Sequence, residues 1–245
     1  MIDGMGQHRR GAGRWSYVVD EPLPHVWISQ PAYDFAEGVY DEGFGDDKQA
    51  VATHSRKLLF IKPGQKSSMS GYWIIHDRIL PTDENNHTYE TLFHLNAEAE
   101  DISVVSERNT VWTRSEDTAN ILLQSAGTSA TSTTRVLSGQ LEPTLRGWKR
   151  ASQGAAPIPV ASFLSEGAGP QNRLFLLYPV PKGSPTPKVS FSRSRTDGTT
   201  LGTIEFGNGE THLVGFSDDA HSKLIGYGEE TVSGHAFWIA KDTVD

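Results

Sequence analysis

An all-β fold, an antiparallel β-sandwich of two layers with a supersandwich-like build and room for a smaller C-terminal β unit, is what this 245-residue sequence predicts. Three observations predict it. Short runs of alternating apolar and polar residues recur along the chain at regular spacing, the pattern of half-buried strands. Two-residue turn signals, Asn208-Gly209 and Asp197-Gly198, join some of these runs as hairpins. No stretch places apolar residues at i, i+3, i+4 and i+7 between helix caps.

The totals narrow the function classes. With 36% apolar residues and 24 glycines, the chain can bury a substantial core within a turn-rich fold. No apolar run approaches membrane-spanning length and the opening MIDGMGQHRR lacks the apolar core of a signal peptide, so membrane insertion is not expected. A formal charge of -8 argues against nucleic-acid binding, which needs a basic face. An acidic partner would have to meet a local basic patch, for which Arg9, Arg10 and Arg14 near the start and Arg56 beside His54 are candidates. Without cysteine there are no disulfides or thiolate sites, and any metal must rest on histidine and oxygen ligands.

In chain order, Ile2-Asp3-Gly4 is a turn signal that leads into a Gly- and Arg-rich segment. Strands follow at 15–19, 25–29 and 32–40, bounded by Pro22, Pro24 and Pro31. Residues 41–47 form an acidic, Gly-rich loop. After the central stretch come strands at 102–106, 110–114, 120–124 and 133–141, with Arg108-Asn109 turning the first pair. Residues 146–171 read as a loop-rich connection with one strand at 160–165, and they carry Trp148 among Arg146, Lys149 and Arg150. Strands resume at 173–180, 188–193, 200–206, 210–216, 223–227 and 236–241. The expected division is a sandwich core over 1–145, the connection over 146–171, and over 172–245 either the remaining strands or a small C-terminal unit.

The central stretch, residues 53–96, reads as three successive antiparallel strands. If the first two close with His54 opposite Asp77, then Arg56 faces Ile75, Leu58 faces Trp73 and Phe60 faces Gly71, all on one side of the sheet. An apolar stripe then ends in a histidine and a carboxylate. Setting His94 opposite Asp77 on the third strand puts Leu92 opposite Ile79 and lines up His54, Asp77 and His94 across strands about 4.8 Å apart. Two imidazoles and a carboxylate are ligand types that suit zinc. A plainer reading pairs Asp77 with Arg56 or Arg78 and leaves the histidines as polar strand ends, since no compact metal-binding signature is present.

These residues also carry a family resemblance. The run H-S-R-K-L-L-F-I-K-P-G, then Y-W-I-I-H-D-R and H-T-Y-E-T-L-F-H-L, preceded by Y-D-F-A-E-G-V-Y, resembles the β-sandwich portion of the heparinase II/III-like polysaccharide lyases, which include heparin, heparan sulfate and alginate lyases. The likeness covers residues 33–96, and this chain inserts residues 65–70 between the K-P-G turn and Y-W. It implies β-elimination on a uronic-acid-containing polysaccharide: removal of the C5 proton, neutralisation of the carboxylate, and protonation of the leaving oxygen. In that family most of the apparatus, a tyrosine included, sits on an N-terminal α-toroid, and the sandwich closes the other wall of the cleft.

The resemblance therefore implies a C-terminal lyase portion, inactive by itself, with an α-toroid upstream, an acidic polysaccharide as partner, and a periplasmic, cell-envelope or secreted setting. No catalytic residue is assigned within these residues. Gln7, Arg10 and Arg56 are the expected substrate-binding residues. His54 has two roles open to it, cleft base or structural zinc ligand, and its expected convergence with Asp77 and His94 favours a structural zinc held by His54, Asp77 and His94. The alternative is a non-catalytic carbohydrate-binding or scaffolding sandwich that uses Trp15, Trp27, Tyr40 or Trp148 as stacking platforms. A third reading, a metal-dependent hydrolase with Glu90 as base, carries least.

Overall fold

The computed structural model describes residues 1–8, 25–64, 70–126, 132–152, 154–185, 187–196, 198–218, 223–227 and 230–241. Strands β1 (Val26–Ser29), β2 (Tyr33–Tyr40), β3 (Ala52–Ile61), β4 (Tyr72–Pro81) and β5 (His87–His94) come first. Next are β6 (Ile102–Val105), β7 (Thr110–Thr113), β8 (Asn120–Ser125) and β9 (Thr133–Leu137). The chain continues with β10 (Trp148–Arg150), β11 (Ala155–Pro157), β12 (Val160–Gly167) and β13 (Gln171–Val180). It ends in β14 (Val189–Thr196), β15 (Thr199–Phe206), β16 (Thr211–Ser217), β17 (Lys223–Tyr227), β18 (Glu230–Gly234) and β19 (Ala236–Lys241).

An eight-stranded antiparallel sheet in the order β1-β2-β3-β4-β13-β8-β7-β6 is the frame. Period-two alternation gives each of its strands two chemically distinct faces. One face, through Leu59, Ile74, Leu174 and Leu176, packs on Phe191, Ile204, Val214 and Phe216 of the four-stranded sheet β14-β15-β16-β19. The other, through Ile75, Val111, Leu123 and Phe175, packs on Ala161 and Phe163 of the three-stranded sheet β5-β12-β9. Phe175 and Phe163 meet edge to face at 5.4 Å, and Phe93 of β5 approaches Phe175 at 5.3 Å. Each such pair contributes about 0.5–1.5 kcal/mol beyond its burial. The antiparallel sandwich predicted from the sequence is what forms, and the four-stranded sheet is an outer layer added to it by the C-terminal strands.

β10, β11 and β12 occupy much of residues 146–171, read from the sequence as a loop-rich connection with one strand, and β12 is the middle strand of its sheet. Of the two alternatives for residues 172–245, remaining strands of the sandwich describes β13, which lies between β4 and β8 in the large sheet. The reason is compositional: Leu174–Phe175–Leu176 are buried on both faces, and a strand of that kind needs a central place. By filling the edge of β4, β13 leaves no ladder there for β5, which crosses to the opposing sheet and pairs with β12.

Candidate functional site

The β3–β4 ladder sets Arg56 opposite Asp77, and the β4–β13 ladder sets Arg173 opposite the same aspartate. Three adjacent strands therefore carry a row of alternating charge on the face towards the three-stranded sheet. Asp77, with a side chain 2% exposed, accepts from Arg56 Nε at 2.6 Å on Oδ1 and from an Arg56 terminal nitrogen at 2.7 Å on Oδ2. Burial alone would raise its pKa, but the Arg56 and His54 contacts outweigh burial and hold the carboxyl well below the ordinary carboxylate range. Arg173 is buried too and donates to the Phe163 carbonyl at 2.6 Å and to Thr91 Oγ1 at 2.9 Å. Burial lowers its pKa to about 10, so it stays charged at neutral pH. Two cations flank one anion, and the row has a net positive charge within a chain of formal charge -8.

His54 lies one step further along the same face of β3. Its Nε2 is 3.0 Å from Asp77 Oδ1, and its Nδ1 is 3.0 Å from Gln7 Nε2. A carboxylate can only accept and a side-chain amide nitrogen can only donate, so the partners fix the tautomer: Nε2 carries the proton and Nδ1 presents its lone pair. Gln7 is brought there by the N-terminal segment, which is tied down by His8 N to the Gly43 carbonyl at 3.0 Å and Gly45 N to the Gly6 carbonyl at 2.8 Å. His8 Nδ1 donates to the Gly45 carbonyl at 2.9 Å, and the Tyr40 hydroxyl reaches the Gly43 carbonyl at 2.6 Å. Between this segment, β3, β4 and β5 lies a cleft of about 470 Å³ lined by Gln7, His8, Tyr40, His54, Arg56 and Glu90.

The arrangement brings some expected residues together and separates others. Gln7, Arg56, His54 and Asp77 share the cleft. Arg10, with Arg9, Arg14 and Trp15, lies outside the described residues. The register differs from expectation by one full period: His54 is opposite Ile79, Leu58 opposite Ile75 and Phe60 opposite Trp73. His94 does not join the row, because β5 belongs to the other sheet, where His94 pairs with Val160 and is exposed. Among the described residues no group of three His, Cys, Asp or Glu side chains is placed to hold a metal ion. Both Asp77 oxygens are engaged by a guanidinium, a neighbour that repels a cation, so His54, Asp77 and His94 do not fit the zinc set expected of them. Glu90 is no free base either, since it is buried and accepts from Ser162 Oγ and Arg146. Sequence reasoning noted Arg146 only as one of the basic residues around Trp148 and did not single out Arg173, whose one sign was a charge at an inward position beside the apolar run 174–177.

Solved heparinases share this architecture. A heparan sulfate lyase, the HepC mutant from Pedobacter heparinus, superposes with a TM-score of 0.58 at 19% identity, over 80% of this chain and 28% of that one. A heparinase III, the BT4657 gene product, gives 0.57 at 15% identity over 78% of this chain and 27% of that one. Another heparinase III gives 0.55 at 12% identity, over 79% and 27%. The chain thus spans less than a third of the length of these relatives, and what it shares with them is the β-sandwich fold. No family model and no curated protein matches the sequence.

Proposed function

We propose that these residues form one wall of a cleft that binds a uronic-acid-containing polysaccharide, in a protein that cleaves such chains by β-elimination. The observation that carries the reading is His54 held between Asp77 and Gln7 with its Nδ1 lone pair on the cleft side, next to a half-exposed Arg56. A guanidinium has five N–H donors and Asp77 takes two, so Arg56 keeps donors for a uronate carboxylate. Withdrawing charge from that carboxylate acidifies the neighbouring C5 hydrogen, the group a β-elimination must remove. An imidazole whose far nitrogen donates to a buried carboxylate is suited to accept a proton at the near one, since Asp77 would stabilise the cation formed. Gln7 would have to yield its place to substrate. The heparan sulfate lyase and heparinase III folds support the polymer class without naming the polymer.

The same reading assigns the remaining acid and base to an α-toroid opposite this wall, so these residues alone would bind without turnover. Affinity electrophoresis through gels containing heparan sulfate, alginate or hyaluronan, run beside an assay of near-ultraviolet absorbance from unsaturated uronate, tests both halves. Retention by at least one polymer, lost in Arg56→Ala and accompanied by no rise in absorbance, is the expected outcome. Absence of retention on all three polymers would remove the reading.

A further inference from the structure

We infer that the end of the large sheet that the other described strands leave uncovered carries a second sugar subsite, an aromatic wall of Phe60 and Trp73 with Trp27 two strands from Phe60 on the same face, which takes further rings of the same polysaccharide whose carboxylate meets Arg56. This rests on the cleft reading above.

The three-stranded sheet does not extend over the whole face it covers. Its core takes Ile75, Val111, Leu123 and Phe175 from the large sheet but no residue of β1 or β2. On that face of the overhang, Trp27 is 72% exposed and Trp73 37% exposed. Phe60 stands opposite Trp73, and their rings stack at 4.4 Å with planes 17° apart. Trp27 is opposite Ala36, which is opposite Leu58, one row nearer to Arg56. A singly exposed aromatic needs no explanation, but an exposed Trp73 stacked on a half-buried Phe60, with an exposed Trp27 on the next row of the same face, offers an apolar surface.

The patch lies on the same face of β3 as the cleft. Along β3 the residues on this face run Phe60, Leu58, Arg56, His54, in steps of about 6.8 Å, so the aromatic pair lies about 14 Å from Arg56. A shallow hollow of about 360 Å³, lined by Ala36, Gly38 and Leu58, shares Gln7, Tyr40, His54 and Arg56 with the cleft. A chain whose uronate lies at Arg56 would follow this hollow as far as Leu58, the residue before Phe60 on the same face of β3.

The chemistry beside the rings suits a sugar rather than a protein core. Asp34 is paired with Phe60 on the ladder, and its Oδ1 accepts from Ser29 Oγ at 2.6 Å and lies 2.7 Å from Lys62 Nζ. A pyranose offers an apolar C–H face to an aromatic ring and hydroxyls around its rim. Phe60 and Trp73 provide the first partner; Asp34, Ser29 and Lys62 provide the second. Lys62 Nζ also donates to the Gln30 carbonyl at 2.8 Å, which holds it at the rim beside Asp34.

Calorimetric titration with disaccharides and hexasaccharides prepared from alginate and from heparan sulfate tests the subsite. The hexasaccharide should bind more tightly than the disaccharide, and Trp27→Ala and Trp73→Ala should each remove about two- to tenfold of that advantage. Disaccharide affinity should be unchanged in both variants. Because Trp27 is largely solvent-exposed, its variant retains the fold and keeps the test decisive if Trp73→Ala is destabilised. A length advantage that survives in both variants, or is absent from the wild type, overturns the subsite and leaves the cleft reading standing. A wild-type protein that binds no disaccharide overturns the cleft reading and this inference with it.

Discussion

Arg56 lies directly across the β3–β4 ladder from Asp77 and holds both of its carboxylate oxygens, at 2.6 and 2.7 Å. The pair is the fixed point of the cleft: it neutralises a buried carboxylate, orients His54, and leaves part of a guanidinium facing outward.

Replacing Asp77 with Asn should therefore cost about 3 kcal/mol at neutral pH, because it leaves the cations around it without their counter-charge. The loss should depend on pH. The folded pKa of Asp77 lies below its ordinary value of 3.8, so its stabilisation is complete above that value and disappears as pH falls towards the folded pKa. Urea unfolding from about pH 7 down to about pH 2.5 should show the gap between wild type and Asp77→Asn narrowing below about pH 4. A gap of constant size would contradict the assignment.

A second clamp ties the N-terminal segment to β5. His87 Nδ1 is 2.6 Å from Asp3 Oδ2, and its Nε2 is 2.9 Å from Asp83 Oδ1. The hydrogen bond to Asp3, then that to Asp83, raises the His87 pKa above 6.5. A raised histidine pKa stabilises the fold fully below its unfolded value and ceases to do so as pH rises through the folded one. His87→Gln should therefore lower the melting temperature more at about pH 5.5 than at about pH 9. An equal loss at both would show that the ring acts only by packing.

On the opposite face of β3, Lys57 is 1% exposed, donates to the Ser217 carbonyl at 2.6 Å, and lies 3.6 Å from Glu37 Oε1. Burial lowers its pKa. Lys57→Met should cost about 3 kcal/mol by stripping Glu37 of a cation in a buried setting. The double variant Lys57→Met with Glu37→Gln should recover most of that, and a double-mutant cycle by urea unfolding measures the difference. Additive losses would mean that the two side chains do not sense each other.

Much of this architecture is legible in the sequence, and the failures have physical causes. Alternation places His54, Arg56, Leu58 and Phe60 on one face whatever the register, because a slip of two residues preserves every facing; for the same reason it could not reveal that Asp77 stands opposite Arg56 and not His54. The plainer pairing of Asp77 with Arg56 is the one observed. The placement of His94 failed for a different reason. Sequential strands usually neighbour one another, but β4 takes β13 as its second partner, about a hundred positions downstream, and nothing local to residues 53–96 signals this. The same distance hid Arg173. Gln7 reached the candidate set through the resemblance, since its approach to His54 depends on a loop closing over the sheet.

The most direct test of the cleft is calorimetric titration with a uronate disaccharide and with its methyl ester, which keeps the sugar and removes the charge. If Arg56 receives the carboxylate, the acid should bind the wild type at least about tenfold more tightly than the ester, and Arg56→Ala should reduce the two to equal weak binding. Acid and ester bound with the same affinity by the wild type, or an acid preference that persists in Arg56→Ala, would contradict the account.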